Sequence, residues 1–152
     1  MSRRFFEGEV SAASPFNSAP YQLGLADLTR TYSSTQRRAE LLLALKDLLT
    51  ALSKEGIQVK FLLGGGSFFD ELQEDPKDID CLIFYVAQPG ANFAAANAAC
   101  RLALVSGIDS RMVPVDSEPM LPIKMAAFFT MLYSIDRLDP AVRRASYLIS
   151  ID

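Results

Sequence analysis

The sequence predicts an α/β (α+β) chain with a small mixed β-sheet flanked by helices. Three observations point that way. Half of the 152 residues are apolar and 22% are charged, a composition that builds a core. Apolar periodicity switches repeatedly between the helical repeat and the strand repeat. Eight glycines and eight prolines punctuate those switches. The length suits one domain, so the expected organisation is an irregular lead-in over 1–20 and a single domain over 21–152.

The elements follow in order. Residues 1–20 are rich in Ser, Ala and Pro, with Pro15 and Pro20 as breakers; Phe5, Phe6 and Phe16 suggest that part of this stretch packs onto the domain. A short helix is predicted over 24–31 through Leu25 and Leu28. The clearest helix spans about 34–55. Ser33 and Gln36 have capping-box spacing, and Leu41, Leu45, Leu48 and Leu52 line one face. Gly56 ends it.

Ile57–Leu63 reads as a first strand running into Gly64-Gly65-Gly66-Ser67, with a short helix over 67–73. IDCLIFYV (79–86) is nearly all apolar and reads as a strand buried on both faces. Ala91–Val105 is helical by propensity. Ile108–Val115 is a third, weaker strand, ended by Pro114 and Pro119. The stretch 122–134 is a helix with Pro122 in its first turn, and Ala145–Ile151 a last strand.

Charge narrows the function. There are 15 basic and 18 acidic residues, net −3. This argues against extended nucleic-acid binding, which needs clustered Lys and Arg. The excess is local. Residues 70–80 hold six acids (Asp70, Glu71, Glu74, Asp75, Asp78, Asp80) against Lys77, net −5.

With no histidine, Ser-His-Asp and Cys-His catalysis and His-ligated zinc are excluded. Cys81 and Cys100 are too few for a structural zinc site and read as small buried thiols in a reducing cytoplasm. The N-terminal MSRRFFEGEVSAASPF lacks the apolar core of a signal peptide. No apolar run approaches the roughly 20 residues of a membrane span. The expected location is cytoplasmic.

The informative segment is FLLGGGSFFDELQEDPKDIDCLIFY, residues 61–85. On a strand, residues i and i+2 share a face about 6.6 Å apart. Asp78 and Asp80 therefore project together while Ile79 turns into the core. Two such carboxylates repel unless a cation lies between them, and their hard oxygens suit Mg²⁺ or Mn²⁺. The glycines let backbone approach a phosphate closely, and Ser67 adds an N–H and a hydroxyl. Gly65, Gly66 and Ser67 thus form a candidate triphosphate cradle.

Each motif alone has a plain structural explanation. Asp pairs often open strands, and Ser67 could be only a helix cap. The segment lacks the Gly-Lys-Ser/Thr of a P-loop and the G-x-G-x-x-G of a dinucleotide fold. The joint placement is what counts: a glycine turn after one strand, an acid pair opening the next, and ten residues between Ser67 and Asp78.

This combination resembles the DNA polymerase β-like nucleotidyltransferase superfamily. The likeness rests on Gly66-Ser67, then Asp78-Ile79-Asp80 leading into Cys81–Tyr85. Pro20-Tyr21, the Leu25/Leu28 segment, Ser33-Ser34 and Arg37-Arg38 look like an uncharacterised bacterial nucleotidyltransferase-like family within it. The resemblance covers about residues 20–116.

It implies a minimal nucleotidyltransferase fold and a metal-dependent enzyme moving NMP from an NTP to a hydroxyl of a small molecule or protein. Asp78 and Asp80 would hold metal, with a third carboxylate from a later strand. Ile108-Asp109-Ser110 is the best match for that acid and Asp116 the runner-up. Asp109 beside Arg111 could equally be a local ion pair. The alternative is an inactive module that binds a nucleotide or a protein partner, such as one half of a toxin–antitoxin or regulatory pair. About 35 residues after the third strand leave little room for an acceptor-binding domain, which favours that alternative.

Other residues carry competing readings. Arg37 and Arg38 read first as a solvated helix turn, though cations there oppose the helix dipole. Lys77 either holds the acidic loop or meets a phosphate. For Phe68 and Phe69, core packing outweighs stacking on a base. The 122–134 helix is apolar too broadly for a lone surface helix; core is the first reading and a homo-oligomer contact the second.

Overall fold

Nine elements account for most of the chain, and the computed structural model describes residues 4–8 and 15–151. They are β1 (Tyr21–Gly24), α1 (Leu25–Tyr32), α2 (Gln36–Lys54), β2 (Ile57–Gly65), β3 (Ile79–Ala87), α3 (Phe93–Val105), β4 (Ile108–Pro114), α4 (Met120–Ser134) and β5 (Tyr147–Ser150). Single 3₁₀ turns cover Pro15–Asn17 and Ser67–Phe69.

The strands form one mixed sheet in the order β1-β5-β2-β3-β4. The β1/β5 and β3/β4 pairs are parallel, and the two pairs involving β2 are antiparallel. The short last strand is therefore interior to the sheet, between β1 and β2.

Strand alternation assigns the two faces. Ile79, Cys81 and Ile83 of β3 join Leu62 of β2 and Ile149 of β5 against α1, α2 and α3, where Leu28, Leu41, Leu45 and Ala96 are fully buried. Leu63, Leu82, Phe84 and Val113 face the other way and meet Phe129 of α4. A register shift between Val59 and Phe61 explains why β2 reads as alternating and then continuously apolar.

Several expectations are corrected. The helix expected from residue 24 starts at Leu25, and residues 21–24 form a strand that the sequence does not predict: four residues are too few to show strand periodicity, and parallel pairing to β5 creates it. Helix α2 is capped by Thr35, whose Oγ1 accepts the Arg38 N–H at 3.2 Å; Ser33 instead ends α1. The predicted 67–73 helix is only the 3₁₀ turn Ser67–Phe69. The three glycines are not one turn, because Gly64 and Gly65 stay in β2 opposite Cys81 and Asp80.

The described part of the lead-in is tied down. The Tyr21 hydroxyl donates to the Arg4 carbonyl at 2.9 Å, and Ala19 N–H donates to Phe5 O at 2.7 Å. Phe16 stays exposed. Residues 1–3, 9–14 and 152, which include part of the predicted lead-in, lie outside the described residues. Among the described residues no helix is long and apolar enough to cross a membrane.

Candidate functional site: carboxylates on the α4 face of the sheet

The parallel pairing of β3 and β4 places Asp80 opposite Asp109. Both lie at the N-terminal ends of their strands. They alternate with Ile79 and Ile108, which are buried on the other face, so both carboxylates belong to the face covered by α4. Asp78 precedes β3 by one residue and is half-buried. On its other side β3 pairs with β2, and Gly65 is opposite Asp80.

Gly66 follows with φ +87°, a conformation that favours glycine. A Cβ there would stand 2.7 Å from Asp80 Oδ2, so the Gly66 backbone lies directly against the Asp80 carboxylate. Ser67 then opens the 3₁₀ turn. Asp78, Asp109, Gly65 and Gly66 thus lie around Asp80, with Ser67 next after Gly66 in the chain, but not Asp116. That acid lies beyond the far end of β4, next to the Tyr85 end of β3, about five strand residues or roughly 16 Å from Asp80.

Electrostatics at Asp80 follow from this crowding. Burial, then the nearby Asp78 and Asp109 carboxylates, push its carboxyl up to about 6. Arg137 and Arg111 pull in the opposite direction. Arg111 shares Asp109's face of β4; its guanidinium is 3.7 Å from the Asp109 carboxylate and 5.3 Å from the centre of the Phe129 ring. Tyr133 of α4 closes the glycine side, and a Cβ on Gly65 would come within 2.4 Å of it. Burial, with Cys81 and Asp80 nearby, raises the Tyr133 phenol.

Arg111, Phe129, Tyr133 and Arg137 carried no local motif. The one available signal was that α4 needed a buried face and Phe129 and Tyr133 are four residues apart on it.

The loop between Ser67 and Asp78 is held by α2. Arg38 is buried, donating to the carbonyl oxygens of Asp70 and Gln73 at 2.7 Å each and to that of Phe68. Its guanidinium also packs on the rings of Phe68 and Tyr32. Arg37 donates to the carbonyls of Pro76 and Lys77. The expected solvated helix turn is therefore corrected: the arginines fasten the acidic loop through its backbone. Phe68 and Phe69 are both core residues. Lys77 is exposed.

A divalent cation would relieve the repulsion that Asp80 feels, and hard carboxylate oxygens suit it. In the arrangement described, however, no group of three or more acids and thiols among the described residues is gathered tightly enough to hold a metal. Cys81 is buried and Cys100 half-buried, both as free thiols. Burial pushes the Cys81 thiol up to about 12, so it is a packing residue.

Fold and site together define a mixed α/β protein whose half-buried carboxylates meet at one end of two parallel strands, under a C-terminal helix. The chain belongs to a family of unknown function, DUF6932, whose profile matches residues 9–143. Neither the curated proteins nor the solved structures include a match to this chain.

Proposed function

We propose that the protein is a metal-dependent nucleotidyltransferase acting on an NTP and a hydroxyl acceptor. The observation that carries this reading is the placement of Asp80 opposite Asp109, with the Gly66 backbone against Asp80 and Ser67 next to it. The resemblance of Gly66-Ser67 and Asp78-Ile79-Asp80 to the DNA polymerase β-like superfamily supports it.

Asp78, Asp80 and Asp109 are not gathered tightly enough to hold a metal as they stand, so they would have to draw together around Mg²⁺ or Mn²⁺, which would neutralise charge on the triphosphate. Gly65, Gly66 and Ser67 would receive the β- and γ-phosphates. Asp109 would take the proton of the acceptor hydroxyl as its oxygen bonds to the α-phosphorus. The α–β phosphoanhydride bond then breaks and pyrophosphate leaves with the electron pair.

A second reading is favoured by two contacts. Asp109 is near Arg111, and Tyr133 rests on Gly65. Both suit an inactive module that binds a nucleotide or a protein partner.

Titration calorimetry with ATP, GTP, CTP and UTP, with and without Mg²⁺ or Mn²⁺, tests both nucleotide readings. Metal-dependent binding followed by transfer of α-labelled NMP supports the enzyme, and transfer should vanish in Asp78→Ala and Asp80→Ala. Binding without transfer favours the module. No binding with metal present, or transfer that survives both substitutions, overturns the assignment.

A further inference from the structure

The outward side of α4 is nearly without charge. Of its fifteen residues, only Lys124 carries one. The inner side is used up by Met125, Phe129 and Tyr133 against the sheet. Outside, Met120, Ile123 and Met131 are more than half exposed, and Phe128, Leu132 and Ile135 a little under half. Together these six, the last of them the residue that ends α4, expose roughly 600 Å² of mostly apolar surface, at the upper end of what a monomer shows.

We infer that this face is the contact between two copies of the chain, packed α4 against α4 about a two-fold axis. Three features select a second copy. The first is area: two such faces bury together about 1,200 Å², the lower bound of specific interfaces. The second is shape. The midpoint of α4 is Ala127, an exposed small residue that lets two helix backbones approach.

Ile123 and Met131 stand four residues to either side of Ala127. An antiparallel pairing about Ala127 therefore sets the Ile123 of one copy beside the Met131 of the other, and the reverse, as a two-fold contact requires. The third is charge. A self-contact brings like groups near each other, and Lys124 alone has to be accommodated, with its ammonium free to reach the rim. The contact also presses α4 onto the sheet, which keeps Tyr133 over Gly65.

The test is the mass of the full chain by sedimentation equilibrium in the micromolar range. The expected value is about 33 kDa, twice the chain's 16.7 kDa. Ile123→Glu and Met131→Glu should each shift the mass to that of a single chain with an unchanged circular dichroism spectrum. Leu43→Glu, at an exposed position on α2 across the sheet, should leave the dimer intact.

Ala127→Cys in a Cys100→Ser background should form an intermolecular disulfide on mild oxidation. A wild-type chain that stays a monomer throughout this range overturns the inference and leaves the face to a different partner. A dimer that survives both Glu substitutions, or that Leu43→Glu breaks instead, also overturns it.

Discussion

The two faces of the sheet are built on opposite principles. Under α1, α2 and α3 the face is hydrocarbon: Ile79, Cys81, Ile83, Leu62 and Ile149 meet buried leucines. Under α4 the same strands carry Leu63, Leu82 and Phe84 over part of their length and then Asp80, Asp109 and Arg111. Burying a carboxylate costs free energy unless it is paired, so one face serves stability and one end of the other is spent on charge. The two arginine sites show the same contrast. Arg38 is buried and satisfies three carbonyls, whereas Arg111 is half-exposed beside one carboxylate.

The largest effect that would break this contrast is at Arg38. Arg38→Ala should destabilise the fold by about 3–5 kcal/mol in urea unfolding, because it leaves buried carbonyls without donors. Arg111→Ala should cost less than ~1 kcal/mol, as expected of an exposed pair. Equal losses would show that the two faces are not so different.

Next is Gly65→Ala. Its Cβ would overlap Tyr133, so α4 must shift and stability should fall by about 1–3 kcal/mol. Gly65 lies outside the positive-φ region, so that loss is steric, whereas Gly90→Ala, where a Cβ meets open space but φ is +81°, should lose stability through the backbone alone.

A smaller effect reports on the charged face directly. With its carboxyl held up at about 6, folded Asp80 binds its proton more tightly than the unfolded chain does. That stabilisation is whole below about pH 4 and is lost as pH rises through 6. Asp80→Asn should therefore be more stable than wild type near pH 8 by about 1–2 kcal/mol, a value reduced for the solvent that still reaches the carboxylate. The gap should close below about pH 4. A gap of the same size at both ends would contradict the electrostatic origin. The smallest effect is at the α2 cap: Thr35→Ala should cost about 1 kcal/mol and Ser33→Ala almost nothing.

Periodicity made the hydrocarbon face legible. The leucines of α2 and the unbroken IDCLIFYV run led to the helix and the buried strand they form. The charged end was legible only in part. Asp78 and Asp80 announced themselves by spacing, whereas Asp109 was reached only through the resemblance to the superfamily, and its partner across the sheet depends on register. Nothing local in YQLG marks β1, since a four-residue strand takes its conformation from β5. Arg37 and Arg38 looked solvated because sequence shows a helix turn but not the carbonyls waiting thirty to forty residues away. Tyr133 and Arg137 reach the site only through the docking of α4, a tertiary event with no motif.

The proposed function stands or falls on whether the carboxylates around Asp80 take up a divalent cation. Its most direct measurement is the Asp80 side-chain carbon shift followed by NMR against pH, with and without millimolar Mg²⁺. A cation site here gives a midpoint near 6 in the absence of metal and a midpoint displaced well downward when Mg²⁺ is present, because metal binding competes with the proton. A midpoint that Mg²⁺ leaves unmoved would contradict it.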